Sequence, residues 1–313
     1  MNLELLVEQL QSEKARSFIS TYLKEKPNKL RLKYHGKNDF PYLECIDQIE
    51  AKQRLAKKNK DWVKNPDLIF PPKLNVEQSS SETTAKYKAS IVAGNRFIDL
   101  TGGMGVDSYF FSKKFKEGVY CELSNALFKI TKYNFKSLKA NIETFNANGF
   151  DVLKAFKFNF DLIYVDPARR IEGKRMVSLK DCVPDITEEL DLVFEKSNQL
   201  LIKTSPLLDI SKVLTEIPFV KEVHVISVNN ECKELLFLSE KGNSETPQII
   251  AVNITSDRTD VLKSNSDETQ TIYSQPKAFI FEPNASIMKS GLFTELAKTY
   301  KLNKIEKNSH LFT

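Results

Sequence analysis

An α/β fold built on a mostly parallel sheet is the architecture this sequence predicts, with a helical region before it and a small α+β piece after it. Three observations predict it. From Gly94 to Gly242, short apolar stretches alternate with stretches of helical period, the pattern of a parallel sheet wrapped by helices. The first apolar stretch runs into a glycine-dense turn, Thr101-Gly102-Gly103-Met104-Gly105. The last two face each other across a short polar turn, so the sheet should end in an antiparallel hairpin. A chain of 313 residues with 41% apolar and 28% charged residues can bury a sizeable core, which excludes disordered, collagen-like and disulfide-stapled classes.

The elements follow in order. Leu3, Leu6, Val7, Leu10, Phe18, Ile19 and Tyr22 recur at three and four, predicting a helix from Leu3 to Leu23 that stops before Pro27. A second helix is expected from Tyr42 to Val63, ending at Asn65-Pro66. Pro71-Pro72 and the polar run Gln78 to Thr84 read as a linker or entry loop, and Ala85 to Val92 as a short helix. Strands are predicted at Arg96–Leu100, Gly118–Glu122, Ile142–Asn146, Leu162–Asp166, Leu200–Thr204, Val223–Val228 and Glu234–Ser239. Beyond Gly242 a separate piece is expected, with strands at Gln248–Ile254, Ala278–Glu282 and Leu302–Glu306 and a helix from Ala285 to Tyr300. The implied domains are 1–72, 73–242 and 243–313.

Charge is distributed unevenly. The net charge is +5, yet residues 1–75 hold 15 Lys or Arg against 10 Asp or Glu, and the remainder is balanced at 31 and 31. The basic run Lys52, Arg54, Lys57, Lys58 and Lys60 could meet a polyanion such as RNA or be a solvated helix face. Lys129, Lys132, Lys136 and Lys139 form a similar stripe, read as a solvated face. No apolar run approaches the roughly 18 residues a membrane span needs, and the acidic, amphipathic start is not a leader, so a cytoplasmic protein is expected. Four scattered cysteines and three histidines suggest neither a metal site nor a disulfide framework.

The segment from Phe97 to Asp107 is a strand, a glycine turn and a helix start, which lets backbone approach a ligand or simply makes a tight corner. Glu122 closes the next strand 23 residues after Asp99, where a carboxylate can accept bonds from both hydroxyls of a ribose. A carboxylate at Asp99 would oppose a pyrophosphate, and Ser108 stands where a dinucleotide turn has its third glycine. S-adenosyl-L-methionine has an ammonium, a carboxylate and a sulfonium but no phosphate, so it suits the set better than a nicotinamide dinucleotide.

Asp99-Leu-Thr-Gly-Gly-Met-Gly105, Glu122 and Asp166-Pro-Ala-Arg169 resemble the ordered motifs of the class I S-adenosylmethionine-dependent methyltransferases, whose Rossmann-like sheet ends in such a hairpin. More narrowly, Glu77-Gln-Ser-Ser-Ser-Glu82, Asp166-Pro-Ala-Arg-Arg170, Lys203-Thr-Ser-Pro206 and Glu282-Pro-Asn-Ala-Ser286 resemble a bacterial family with a helical N-terminal domain, a ferredoxin-like domain and a THUMP-like C-terminal module. That family usually continues beyond the point where this chain ends. The resemblance implies that Asp99, Gly103 and Gly105 line the methionine part of the cofactor, with Thr101 in place of the usual first glycine. Glu122 would hold the ribose and Leu123 would pack on the adenine. Asn148, with Gly149 and Phe150, would meet the adenine amino group, a position an ordinary turn residue also fits.

At the carboxyl end of the fourth strand, Asp166, Pro167 and Arg169 would address the substrate, Asp166 positioning a nucleophile and Arg169 stacking on a base or gripping a phosphate. A loop cap is the plain alternative for Asp166. Lys203, Ser205 and Arg170 would lie beside the same pocket, where they could orient the substrate; an ordinary surface charge is the plain alternative for Lys203. Cys182 and Cys232 lie outside the context that a uracil-attacking thiol requires, and Tyr109, Phe110 and Phe111 read as helix core. The expectation is an S-adenosylmethionine-dependent methyltransferase acting on RNA, such as rRNA or tRNA. The competing readings are a cofactor-binding RNA-binding or assembly protein without transferase activity, and a small-molecule or protein methyltransferase.

Overall fold

Ser12 breaks the first predicted helix. In the computed structural model, which describes residues 3–169, 178–265 and 271–313, α1 (Leu3–Gln11) ends there and the Ser12 hydroxyl caps α2 (Glu13–Tyr22), accepting the Ala15 N–H at 3.2 Å. Pro27 does more than follow a helix: it opens α3 (Pro27–Lys33), a position where its missing N–H is not needed. The second predicted helix also divides, into α4 (Tyr42–Leu55) and α5 (Lys60–Lys64). Asn59 stands at the break because its buried side chain serves another segment, donating to the Ser80 carbonyl at 3.2 Å and accepting the Glu82 N–H at 2.8 Å.

The expected linker or entry loop is shorter than its polar run, and the same bonds hold it against the helical region. Residues 73 to 90 form α6 (Lys73–Gln78) and α7 (Glu82–Ser90), and Ser80 and Glu82 are buried. Lys58 donates to the Glu77 carbonyl at 2.7 Å and to that of Ser79, while Glu82 accepts the Asp61 N–H at 2.9 Å. Within that polar run Ser80, Glu82 and Thr84 are buried, and the Ser80 carbonyl and the Glu82 carboxylate are bonded to the helical region.

The parallel strands then begin: β1 (Arg96–Asp99), α8 (Val106–Phe111), β2 (Glu117–Cys121), α9 (Asn125–Ser137), β3 (Ile142–Phe145) and α10 (Gly149–Ala155). β2 lies between β1 and β3, parallel to both, in the register Phe97↔Gly118↔Ile142. Ala51, Leu55, Trp62 and Phe70 of the helical region share a core with Met104, Val106 and Leu127, and the Trp62 ring meets that of Tyr109 edge-on at 5.8 Å. Asn134 of α9 closes a two-bond clamp on Ile69, accepting its N–H at 3.0 Å and donating to its carbonyl at 2.7 Å. Residues 1–157 form one of the chain's two compact units.

Residues 158–313 form the other. Here β4 (Leu162–Val165) is buried along its whole length and is followed by the two-residue pair β5 (Ala168–Arg169) and β6 (Cys182–Val183), α11 (Leu190–Lys196), β7 (Gln199–Thr204) and α12 (Ile210–Glu216). The predicted hairpin is present as β8 (Val220–Val228) and β9 (Glu231–Glu240). Its turn is shorter than expected: Asn229 and Asn230, both at positive φ, suffice to reverse the chain. β9 lies between β7 and β8 and is antiparallel to both, whereas β4 and β7 are parallel.

The C-terminal reading needs three corrections. The strand at Gln248–Ile254, β10, is no separate piece: it pairs in parallel with β8 from Glu222 to Val228, and β11 (Thr259–Lys263), where no strand is predicted, adds an antiparallel edge. Arg258, Asp260 and Lys263 suit an edge, where charge blocks further pairing. The predicted helix from Ala285 to Tyr300 splits into α13 (Ala285–Ser290) and α14 (Phe293–Tyr300) at Gly291, whose φ of 75° ends the first. The strands expected at Ala278–Glu282 and Leu302–Glu306 reduce to single bridges, Phe281 with Phe312 and Lys304 with Tyr273 and Phe312. No helix among the described residues is long and apolar enough to cross a membrane.

Candidate functional site

Asp99 closes β1 with its side chain turned inward. The residue is 1% exposed; Oδ1 accepts the Thr101 N–H at 3.0 Å and Oδ2 accepts the Ser108 hydroxyl. Asp99 therefore shapes the turn from below, and Ser108 supplies one of its anchors. Gly103 and Gly105 have φ of 57° and 74°, the left-handed region that glycine enters freely. They are used differently. A Cβ on Gly105 would lie 2.5 Å from the Phe135 ring, whereas one on Gly103 would meet only the Thr101 carbonyl, at 3.8 Å. Gly105 is required by packing, and Gly103 leaves room for a ligand beside its backbone. Gly102, outside the predicted set, is also required by packing, since a Cβ there would fall 2.0 Å from the Tyr120 ring.

Glu122, just past β2, reaches back to this turn. Its Oε2 accepts the Gly103 N–H at 3.0 Å and its Oε1 the Ser124 N–H at 2.7 Å. Tyr120 donates to the Gly103 carbonyl at 2.6 Å, and burial pushes its hydroxyl well above the ordinary tyrosine range. Leu123 is 68% exposed, beside a carboxylate already fixed in place. The sequence reading missed Asn146, whose amide donates to the carbonyls of Glu122 at 2.7 Å and Leu123 at 3.1 Å, holding both residues in position. Its only signal was an amide at the end of the third strand.

Asn148 caps α10, its Oδ1 accepting the Phe150 N–H at 2.9 Å, which is the work of a turn residue. Gly149 sits against Leu100, where a Cβ would lie 2.5 Å from the carbonyl oxygen, and Phe150 is 8% exposed. These two pack behind the turn.

The other predicted residues belong to the second unit. The register Val165↔Ile202 sets the strand ends side by side, so the next residues, Asp166 and Lys203, meet: Lys203 Nζ lies 2.5 Å from Asp166 Oδ2, with the two side chains 14% and 33% exposed. Pro167 is buried, and the backbone of Arg169 pairs with Cys182. Arg170 lies outside the described residues. Ser205 accepts the Leu207 N–H at 3.3 Å and turns the chain after β7. Burial pushes the Cys45 thiol up to about 12 and the Cys232 thiol up to about 11, and Cys121 is raised for the same reason. Among the described residues no group of His, Cys, Asp or Glu could hold a metal ion.

The basic run at Lys52–Lys60 is largely spent on the protein itself. Lys52 donates to the Val63 carbonyl at 3.0 Å, Arg54 pairs with Glu50 at 2.9 Å and Glu77 at 2.5 Å, and Lys58 caps the end of α6. Lys57 and Lys60 are exposed, and with the other three engaged the run is mainly a structural seam. Lys129, Lys132, Lys136 and Lys139 are exposed, as a solvated face requires.

With the geometry in place, the chain can be compared with known proteins. Residues 279–313 match the family model of a ferredoxin-like domain. The crystal structure of a provisionally named methyltransferase from Porphyromonas gingivalis W83 is similar at 27% identity and a TM-score of 0.78, covering 96% of this chain and 77% of that one. An rRNA methylase from Streptococcus thermophilus is similar at 12% identity and a TM-score of 0.37, covering 50% of this chain and 94% of that one. TrmK of M. capricolum with S-adenosyl-homocysteine reaches 14% and 0.40, covering 51% and 68%. No curated protein matches the chain. The fold read from the sequence, a Rossmann-like α/β sheet of the class I methyltransferase kind with a helical N-terminal region and a ferredoxin-like C-terminal piece, is the fold the chain has.

Proposed function

We propose that the chain is an S-adenosylmethionine-dependent methyltransferase acting on RNA. The observation that carries the reading is the tie between Glu122 and the Gly103 N–H, which fixes a carboxylate beside a glycine whose outer side is open. The likeness over 96% of the chain to a provisionally named methyltransferase supports it.

The residues fit the cofactor. Glu122 offers carboxylate acceptors for a ribose diol, exposed Leu123 offers an apolar surface for adenine, and Gly103 offers a backbone with no side chain in the way. When bound, S-adenosylmethionine supplies an electrophilic methyl group on a sulfonium. Asp99 holds the turn's shape through Thr101 and Ser108 rather than through exposed oxygens. Asp166 accepts a hydrogen from the substrate nucleophile and orients it, Lys203 positions Asp166, and Arg169 reads a base or phosphate.

The test is a comparison of RNA nucleosides by mass spectrometry between a deletion strain and wild type, with purified protein and S-adenosylmethionine restoring the missing modification. A nucleoside profile unchanged by the deletion, with no methyl transfer to bulk RNA in vitro, would remove RNA as the substrate. Methyl transfer to a small molecule or a protein would leave the cofactor reading standing.

A further inference from the structure

The N-terminal unit carries a surface built differently from its core. Phe18 and Tyr22, one helical turn apart on α2, meet Tyr34 at the end of α3, Phe40 in the following loop and Tyr42 at the start of α4. Phe18 is the hub: its ring centroid lies 4.8 Å from that of Tyr22, 5.2 Å from Tyr34, 5.5 Å from Tyr42 and 5.9 Å from Phe40. Tyr34 and Tyr42 stack at 4.4 Å and 19°. All five rings are half-buried, whereas Phe97, Phe111 and Tyr120 in the core are fully enclosed. Leu30, Ile46 and Ile49 form a packed floor behind Phe18, Tyr22 and Tyr34, Phe40 packs with Phe18 on a neighbouring cluster of Leu10, Ala15 and Cys45, and each half-buried ring keeps an outer side in water.

Exposed lysines surround that outer side. Lys14 Nζ lies 4.6 Å from the centre of the Phe40 ring, Lys33 5.1 Å from Tyr22 and 5.3 Å from Tyr34, and Lys37 5.1 Å from Tyr34. A hydrogen bond from Tyr34, with Lys33 beside it, holds the Tyr22 hydroxyl below its usual range. Two carboxylates face the cluster. Asp39 acts on Tyr42, and Glu25 acts on Tyr22 but lies 3.7 Å from Lys29.

We infer that this surface binds single-stranded RNA, with bases stacking on the tyrosine and phenylalanine rings and phosphates held by Lys14, Lys33 and Lys37. Aromatic faces accept any base, and lysines follow the backbone. A lysine stem lying over a ring is flexible, so an incoming base displaces the stem and leaves its ammonium at the level of the phosphate. A duplex keeps its bases inside and cannot use the rings. The inference deepens the RNA reading of the proposed function and rests on it for the choice of RNA; it assigns substrate holding to residues 14–42 instead of the Lys52–Lys60 run.

The experiment measures fluorescence anisotropy of the full chain, without cofactor, against a labelled 12-residue oligouridylate and a duplex RNA of the same length, over a salt series. The wild type should prefer the single strand. The triple variant Lys14→Ala, Lys33→Ala, Lys37→Ala changes only exposed side chains; it should lose affinity roughly tenfold and flatten the slope of log K against log salt by about 2, as loss of three phosphate contacts on a single strand requires. Tyr34→Phe should bind as the wild type does and Tyr34→Leu several-fold more weakly, while Asp39→Asn should tighten binding. Wild-type affinity and salt slope in the triple variant, or equal binding of the duplex, would overturn the inference. Because no cofactor is present, a failure here is separable from a failure of the methyltransferase reading, which shows instead as absent methyl transfer.

Discussion

The Gly103 N–H donates to Glu122 Oε2 at 3.0 Å, so one carboxylate ties the turn after β1 to the end of β2. The other oxygen takes the Ser124 N–H, which also orders the entry to α9. Glu122→Ala removes both acceptors together with the group proposed to hold the ribose. Cofactor binding should weaken by about 1–3 kcal/mol, the usual cost of losing hydrogen bonds to a charged group, and titration calorimetry with S-adenosylmethionine measures it. Glu122→Gln keeps one acceptor and should fall between. Unchanged affinity in Glu122→Ala would move the ribose site elsewhere.

A buried ion pair braces the helix that follows the turn. Lys88 is fully buried and its Nζ lies 3.2 Å from Asp107, while Ser80 donates to Asp107 at 2.7 Å and accepts from Lys88 at 3.1 Å. Removing one member of such a pair leaves a buried charge without its counter-ion. Lys88→Met should therefore cost about 3–5 kcal/mol of stability, read by urea denaturation, and the double variant Lys88→Met, Asp107→Asn should cost less than the sum of the single ones.

Lys58 and Lys57 are neighbours with opposite expected behaviour. Lys58 donates to carbonyls at the end of α6, so Lys58→Ala should destabilise the chain by about 1–3 kcal/mol, as charged-group hydrogen bonds do. Exposed Lys57→Ala should change stability by less than about 0.5 kcal/mol. Thermal unfolding of the two variants side by side checks the assignment of the basic run to structure.

The thiols give a simple chemical check. With Cys45 pushed up to about 12 and Cys232 up to about 11 by burial, the thiolate fraction at neutral pH is on the order of one in ten thousand or less. Native protein should resist iodoacetamide at pH 7.5 and react fully after denaturation. Fast native labelling of any cysteine would reopen a nucleophilic role.

What the sequence made legible was local. Asp99, the glycines and Glu122 lie on consecutive strand ends, and spacing alone relates them. Asn146 escaped notice because an amide at a strand end has no distinctive spacing, and its partners are backbone carbonyls. The burial of Ser80 and Glu82 is not legible, because composition cannot tell a solvated polar group from a buried, bonded one. The five-ring cluster spans residues 18 to 42 on three helices and a loop, a gathering that only tertiary packing produces. The split between α13 and α14 falls at Gly291, whose positive φ ends the first helix although helical periodicity continues on either side.

Asp166 and Lys203 show how strand order joins two residues that linear spacing does not relate. They are 37 residues apart and meet because β4 and β7 are parallel neighbours. Asp166→Ala should lower methyl transfer by a factor of ~100 or more while leaving cofactor affinity unchanged, since it removes orientation of the nucleophile and not the binding of the methyl donor. Lys203→Met acts through Asp166. It should lower kcat by a smaller factor, on the order of ten, and add little on top of Asp166→Ala, because a positioning residue has nothing left to position. Lys203→Arg keeps the cation and should recover part of the loss. Single-turnover kinetics on the RNA identified by the nucleoside comparison, with cofactor affinity measured separately, reads all four variants. If the two losses multiply in the double variant, Lys203 contacts the substrate on its own account, and if Asp166→Ala turns over as the wild type does, the nucleophile is positioned by another loop.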